Sequence, residues 1–313
     1  MSTRRGPVSQ LKPFDDDSYG DVVWDSRLAD ELELEALSQV VTRGSLEDRV
    51  ADRSFDDGMT AAGEQDEEPS SPKLIPSSES AARQVWSVLQ ERQKRLGALY
   101  PFIVTNTTLR RLKGKGELYL SFLAVAWAHA VSFRQSPPVE VLFEDMVAAA
   151  VAAKGLRTAV FRRANTHQGT FPERLVDVGN QLGLRANPSA AAYRTQAKDA
   201  GVDVIARLDW EDARPGQWWL LGQATCARSE SWSKKMLEPK PQKWSSWFDE
   251  ELKPQRFLAL PHHVTRRALQ DVLEEGEGFV LDRLRLVLAK PPLSRLVRRM
   301  TKAVLHAHAK RSA

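Results

Sequence analysis

Cysteine is almost missing from this sequence: Cys226 is the only one in 313 residues. One thiol excludes an intrachain disulfide and any zinc site built from several cysteines, and it fits a reducing, cytoplasmic setting. No apolar run approaches the roughly 20 residues that a membrane span needs. The most apolar stretch, Tyr119 to Val131, is too short and contains His129. The opening MSTRRGPVSQ lacks the apolar core of a secretory signal. There is no phosphate loop of the G-x-x-x-x-G-K-S/T kind, so any nucleotide-driven step would need a partner protein. No internal repeat is present. Acidic residues are absent from the last stretch, which carries Arg295, Arg298, Arg299, Lys302, Lys310 and Arg311.

What is present is unevenly distributed. Residues 1–80 hold 8 Lys and Arg against 19 Asp and Glu, a balance of −11, and the remainder holds 37 against 22, a balance of +15. A basic body suits a polyanionic partner, and equally a solvated surface on a protein of unrelated function. Charge alone does not choose.

Residues 1–80 read as a disordered acidic tail. Clusters at Asp15 to Asp17 and Glu64 to Glu68 lead into a Ser/Pro run from Pro69 to Ser80. Inside it, Trp24 to Val41 has leucines at 28, 32, 34 and 37 and reads as a short acidic helix. That helix is either idle in solvent or docked on the basic body, where it would compete with DNA.

Order is expected from Ala81. Residues 81–135 form a helical accessory segment: Ala81 to Leu99 by apolar periodicity, a short helix capped by Asn106-Thr107 through Arg111, and an apolar helix from Gly116 to Phe133. Residues 136–313 form an α/β domain with a mixed central sheet. Pro137-Pro138 opens a helix over Val139 to Lys154, which Gly155 stops. Strands are expected at Arg157 to Arg162, Val202 to Leu208, Trp218 to Cys226 and Arg256 to Leu260. A helix at Pro172 to Leu184 separates the first two, and a loop and helix over Ser229 to Leu252 separate the last two. Trp218 to Cys226 is nearly continuous in apolar residues, as a central buried strand should be. His263 to Glu275 reads as a helix, Phe279 to Leu288 as extended chain, and Pro292 to His308 as a basic helix.

The chemistry concentrates between Asp199 and Lys235. A strand bearing Asp203 passes through a tight connection into a strand bearing Gln223, so both side chains can reach one end of a sheet. Mg²⁺ takes hard oxygen ligands and keeps several waters, so a carboxylate, a carbonyl oxygen and a phosphate suffice. A nearby cation then supports the charge that develops on phosphorus.

This order of elements resembles the αβββαβ core of the PD-(D/E)XK restriction-endonuclease-like superfamily, nearest its Mrr-like branch of prokaryotic restriction and phage defence. Phe143-Glu144 in the opening helix, Gly201-Val202-Asp203 before the first metal carboxylate, and Gln223-Ala224-Thr225 on the next strand carry the resemblance, which spans roughly 136–262. It implies an endonuclease that hydrolyses DNA phosphodiester bonds with Mg²⁺ or Mn²⁺. Asp203, Gln223 and Glu144 would serve as metal ligands, and an ATPase or helicase is a possible defence partner. One departure matters: Thr225 stands where the family has Lys. Arg228, Lys234 and Lys235 lie within reach in sequence; Arg228 is the first candidate to replace that charge and Lys234 the second. If neither turns toward Asp203, the chain is a silent nuclease fold that binds DNA or a partner.

Other features have plainer readings beside functional ones. Cys226 reads as a small buried hydrophobe, and His262 and His263 as loop residues with no third ligand at recognisable spacing. Trp232, Trp244 and Trp247 lie among Lys234, Lys235, Lys240 and Lys243. They suit base stacking or packing on the sheet. Lys235, Lys240, Lys243, Arg295, Arg298 and Arg299 are candidate phosphate contacts.

Overall fold

The computed structural model describes residues 22–51, 78–163, 170–187, 200–212, 216–227, 229–248 and 252–312, together with Ser189, Arg214 and Glu250. Two sheets organise the chain. The smaller has strands β1 (Val41–Thr42), β2 (Phe102–Val104) and β3 (Thr108–Arg111) in the order β1-β3-β2, all antiparallel. The larger has β4 (Arg157–Val160), β5 (Val204–Arg207), β6 (Trp219–Ala224), β7 (Gln255–Ala259) and β8 (Gly278–Leu281) in sequence order. Its first two pairings are antiparallel, and β6–β7 and β7–β8 are parallel.

Helices cover both faces of the large sheet, the arrangement that lets every strand bury apolar side chains on two sides. On one face Val204, Ala206, Leu220, Phe257 and Ala259 share a core with helix α4 (Val139–Ala152) and its neighbours. Those neighbours are α1 (Val22–Glu35), α2 (Ser78–Leu96), α3 (Glu117–Ala130), α9 (Arg283–Leu288) and α10 (Arg295–Ser312). On the other face Ile205, Trp219 and Leu221 pack against α5 (Phe171–Leu182) and α7 (Pro241–Trp247). Beside them Leu258 and Val280 meet α6 (Trp232–Met236) and α8 (Arg266–Gly276). Gly222 allows this packing, because the Phe257 ring fills the space that a Cβ there would need.

The sequence expectation of a mixed α/β domain holds, and its strand and helix positions agree within a few residues. Three expectations are corrected. The disorder expected across 1–80 fails over residues 22–51, where α1, β1 and a helical segment at 43–51 are folded. The rest of that tail lies outside the described residues. Helix α1 is not idle in solvent: it is packed on the body, with Leu28, Ala29, Leu32 and Leu34 buried in the core. Each leucine so removed from water contributes about 1.5–3 kcal/mol. The helix expected at Asn106 to Arg111 is strand β3, held between β1 and β2. The extended chain expected through Leu288 stops at Leu281. There Asp282 accepts the Arg285 backbone N–H at 3.1 Å and starts α9 as its N-cap.

Acidic α1 is fixed by a buried charge network. Asp30 accepts from Arg92 and from both guanidinium ends of Arg283, and Glu33 pairs with Arg92 at 2.9 Å. Tyr100 and Tyr119 donate to Glu33 at 2.5 and 2.7 Å, and burial holds both hydroxyls protonated by raising their pKa. Among the described residues no helix is long and apolar enough to cross a membrane.

Candidate functional site

The end of the large sheet where β4, β6, β7 and β8 finish and β5 begins gathers the polar residues singled out in the sequence. The chain enters β5 through Gly201, whose φ of 73° only glycine adopts without strain. A Cβ at Gly201 would lie 2.8 Å from the Glu238 Cβ, so the approach to β5 is wedged against the segment that follows α6.

Two residues on, Asp203 is tied to both neighbouring strands. Its carbonyl accepts the Phe161 N–H at 2.8 Å and its own N–H donates to Gly222 O at 2.8 Å. The Asp203 carboxylate accepts the Ala224 N–H at 2.8 Å, so the side chain completes the ladder where the β5 backbone turns away. Backbone and carboxylate together pin this acid against the residue that follows Gln223.

Gln223 alternates with Leu221 and Trp219 along β6, and so occupies the face covered by α5, α6 and α7. Its parallel neighbour on that face is Leu258, which shares a cluster with Trp232 and Met236 of α6. Gln223 is buried, and its side-chain carbonyl oxygen has no hydrogen-bond partner. An unpaired buried carbonyl costs about 1–3 kcal/mol, so this oxygen is open to a water or a ligand as its donor partner.

These two oxygens, a partly buried carboxylate and an unpaired carbonyl on adjacent strands, match the hard donor set of Mg²⁺ or Mn²⁺. The donor set is minimal. Among the described residues no group of three or more His, Cys, Asp or Glu side chains is placed to hold a metal.

No family model, curated protein or solved structure matches the chain. The reading of the site therefore rests on its own geometry.

The remaining site candidates do not all converge on this pair. Glu144 lies on α4, which covers the face opposite Gln223, and Arg162 donates to its carboxylate. The same guanidinium reaches Asp145 at 3.0 Å and the Val141 carbonyl at 2.5 Å, so this trio anchors the end of β4 to α4. Thr225 is buried, with its hydroxyl accepting the Ala227 N–H at 3.1 Å, and it brings no charge. Arg228 lies outside the described residues. Lys234 and Lys235 lie on α6, the helix over the Gln223 face. Lys234 is exposed, whereas Lys235 is half-buried and pairs with Glu238 at 2.9 Å, beside Gly201. Sequence reasoning counted Lys235 among the cations within reach and among the phosphate contacts, behind Arg228 and Lys234 as the replacement charge; the wedge between Gly201 and Glu238 needs the fold to be visible.

Lys240 and Lys243 are exposed at the start of α7, and the Lys240 ammonium donates to Leu237 O at 2.8 Å. The three nearby tryptophans are not available for stacking: Trp232, Trp244 and Trp247 are all buried. Among the described residues Trp210 and Trp218, in the connection between β5 and β6, are exposed. Cys226 is buried, and burial raises its thiol well above the ordinary range, which leaves little thiolate for nucleophilic work. His262 rests its ring nitrogen 3.3 Å from the Cys226 carbonyl, and burial pushes its pKa down to about 4. His263 is likewise driven down by burial and neutral. A cavity beside Cys226 is lined by Asp30, Trp127, His129 and His262, and neither Asp203 nor Gln223 is part of its wall.

Proposed function

We propose that this chain is a metal-dependent nuclease with a restriction-endonuclease-like core, hydrolysing DNA phosphodiester bonds. The observation that carries the reading is the Asp203–Gln223 pair, a pinned carboxylate beside a buried carbonyl with no partner. The order α4, β4, β5, β6, α6 and α7, β7, with two antiparallel pairings and then a parallel one, supports it, because this is the order that the sequence resemblance implies. A role in prokaryotic restriction or phage defence, with an ATPase or helicase partner, belongs to the same proposal and rests on the resemblance.

A divalent ion bound here would act as a Lewis acid on the phosphate and lower the pKa of its water. The chain's own contributions follow from the geometry. Asp203 is oriented by the Ala224 N–H and holds its charge in place, so no reorganisation is needed when substrate arrives. Gln223 gives an acceptor without adding a second negative charge. Lys234 and Lys235 offer from α6 the positive charge that Thr225 does not. Glu144, bound by Arg162, holds the end of β4 in place.

A second reading is favoured by two of these observations: the buried neutral Thr225 and the engagement of Glu144 by Arg162. It is a silent nuclease fold that binds DNA or a partner as a regulatory subunit. Plasmid nicking with Mg²⁺, Mn²⁺ and EDTA separates the two. Metal-dependent nicking, lost by at least ~10²-fold in Asp203→Asn, supports the enzyme, since such a loss is typical for a residue that stabilises developing charge. Asparagine keeps an acceptor for the Ala224 N–H, so the loss would report charge rather than unfolding. DNA binding indifferent to Mg²⁺, with no nicking, supports the silent fold.

A further inference from the structure

Helix α10 carries a row of cations that the rest of the fold leaves unanswered. Arg295, Arg299, Lys302 and Lys310, with His306 between the last two, follow one another at spacings of four, three, four and four residues, which places them along one side of the helix. All five are exposed, and none of their side chains makes a hydrogen bond or ion pair among the described residues. The helix's other two cations are engaged. Arg298 is paired with Glu117, and Arg311 lies 5.4 Å over the Trp127 ring. The opposite side, with Val297, Met300 and Val304, is buried in the core.

We propose that this row is a docking rail for the phosphate backbone of a nucleic acid, with Arg295, Arg299, Lys302 and Lys310 making the contacts. The proposal deepens the nuclease reading by naming where the substrate is held away from Asp203. From Arg295 to Lys310 the rail runs about 22 Å at 1.5 Å per residue, room for about six phosphates of one strand at 3.4 Å axial spacing. The helix carries no acidic residue, and its positive N-terminal end lies at Arg295, which adds to the field. Two other anionic partners fit worse. A protein interface concentrates its energy in buried aromatic anchors, and the only large exposed hydrophobe here is Leu296. A membrane-surface helix turns its apolar side outward, and this one turns it into the core.

The test is DNA binding by the full chain in EDTA, read by fluorescence anisotropy at 50 and 200 mM salt, which removes cleavage from the measurement. Replacing all four cations by glutamine should weaken binding at least about tenfold at 50 mM and flatten the slope of log K against log salt by about 0.9 for each phosphate no longer neutralised. A milder variant, Arg299→Gln with Lys302→Gln, should give about half that change of slope and guards against loss of fold in the first. Neutralising the exposed Arg110, Lys113 and Lys115, which belong to β3 and the turn after it, should leave most of the affinity intact. The rail is overturned if the four-site variant binds like the parent, or if the Arg110, Lys113 and Lys115 variant loses as much. It is also overturned if the row proves to bind phosphatidylserine vesicles or polyglutamate in preference to DNA. Should nicking be absent while rail-dependent binding persists, the nuclease reading fails and the rail stands.

Discussion

Asp30 and Arg283 lie 253 residues apart in the chain and meet through two hydrogen bonds of 2.7 and 2.6 Å. Arg92 joins them from α2, so the N-terminal helix is fastened to the end of the large sheet by buried charge. Removing one member of such a group strands the others. Asp30→Ala should therefore destabilise the chain by about 3–5 kcal/mol in urea unfolding. Burial alone would raise the Asp30 carboxyl, but Arg283 and Arg92 together hold it well below its ordinary value. A depressed carboxylate contributes stability above its unfolded value near pH 4 and loses it as pH falls further. An Asp30→Ala chain as stable as the parent at pH 7 would show the network to be idle.

The same network changes what deletion of the N-terminal residues should do. A loosely docked acidic tail would, on removal, free a basic surface and tighten DNA binding. Helix α1 is instead part of the core, with Ala29, Leu32 and Glu33 fully buried. Removing residues 1–51 should lower the unfolding midpoint sharply and give no gain in affinity from an intact body. Tighter DNA binding at unchanged stability would mean that α1 is dispensable.

Gln223 offers a test in which stability and function move in opposite directions. Its carbonyl oxygen is buried without a partner, so Gln223→Leu removes an unmet acceptor and should leave stability unchanged or raise it by up to about 1–3 kcal/mol. If that oxygen serves a ligand, the variant should lose nicking and also lose any Mg²⁺-dependent rise in melting temperature. A leucine variant that is destabilised and still nicks would make Gln223 an ordinary sheet residue.

The two lysines of α6 separate along similar lines. Lys235 is half-buried and steered by Glu238 beside the Gly201 turn, whereas Lys234 is exposed. Lys235→Ala should reduce turnover by about 10²-fold with little change in DNA affinity, as expected for charge that acts in the transition state. Lys234→Ala should do the reverse on a smaller scale. Equal, small effects of both would leave the cation role to a residue outside the described set.

Much of this was legible in the sequence because periodicity reports burial. The apolar run of β6 and the polar-apolar rhythm of α5 are each set by the elements that cover them. The Asp203–Gln223 adjacency was legible too, since two consecutive antiparallel strands bring the start of one beside the end of the next. Residues 22–51 were misread for a physical reason: Asp30 and Glu33 count as solubilising acids in a composition. Only the distant Arg92 and Arg283 turn them into core. Glu144 is a like case, because the Arg162 that engages it sits on a different element. Local sequence carries propensity and register; it does not carry which charge meets which.

Half-buried His262 and buried His263 give the chain a pH dependence whose sign can be worked out. Burial lowers His262 to about 4 and drives His263 down as well, while both would titrate near 6.5 in the unfolded chain. Between those values the unfolded state binds more protons, so folding weakens as pH falls from about 6.5 toward 4. Each histidine contributes at most about 1.4 kcal/mol per pH unit to that slope. Urea unfolding midpoints should therefore drop between pH 7.5 and 5, before the Asp30 network begins to protonate. His263→Gln should flatten the dependence, because glutamine asks for no proton in the unfolded state. A midpoint that holds steady from pH 7.5 to 5 would mean that both rings take up protons inside the fold as readily as in the unfolded chain, and their burial beside Arg92 and Arg283 argues against that.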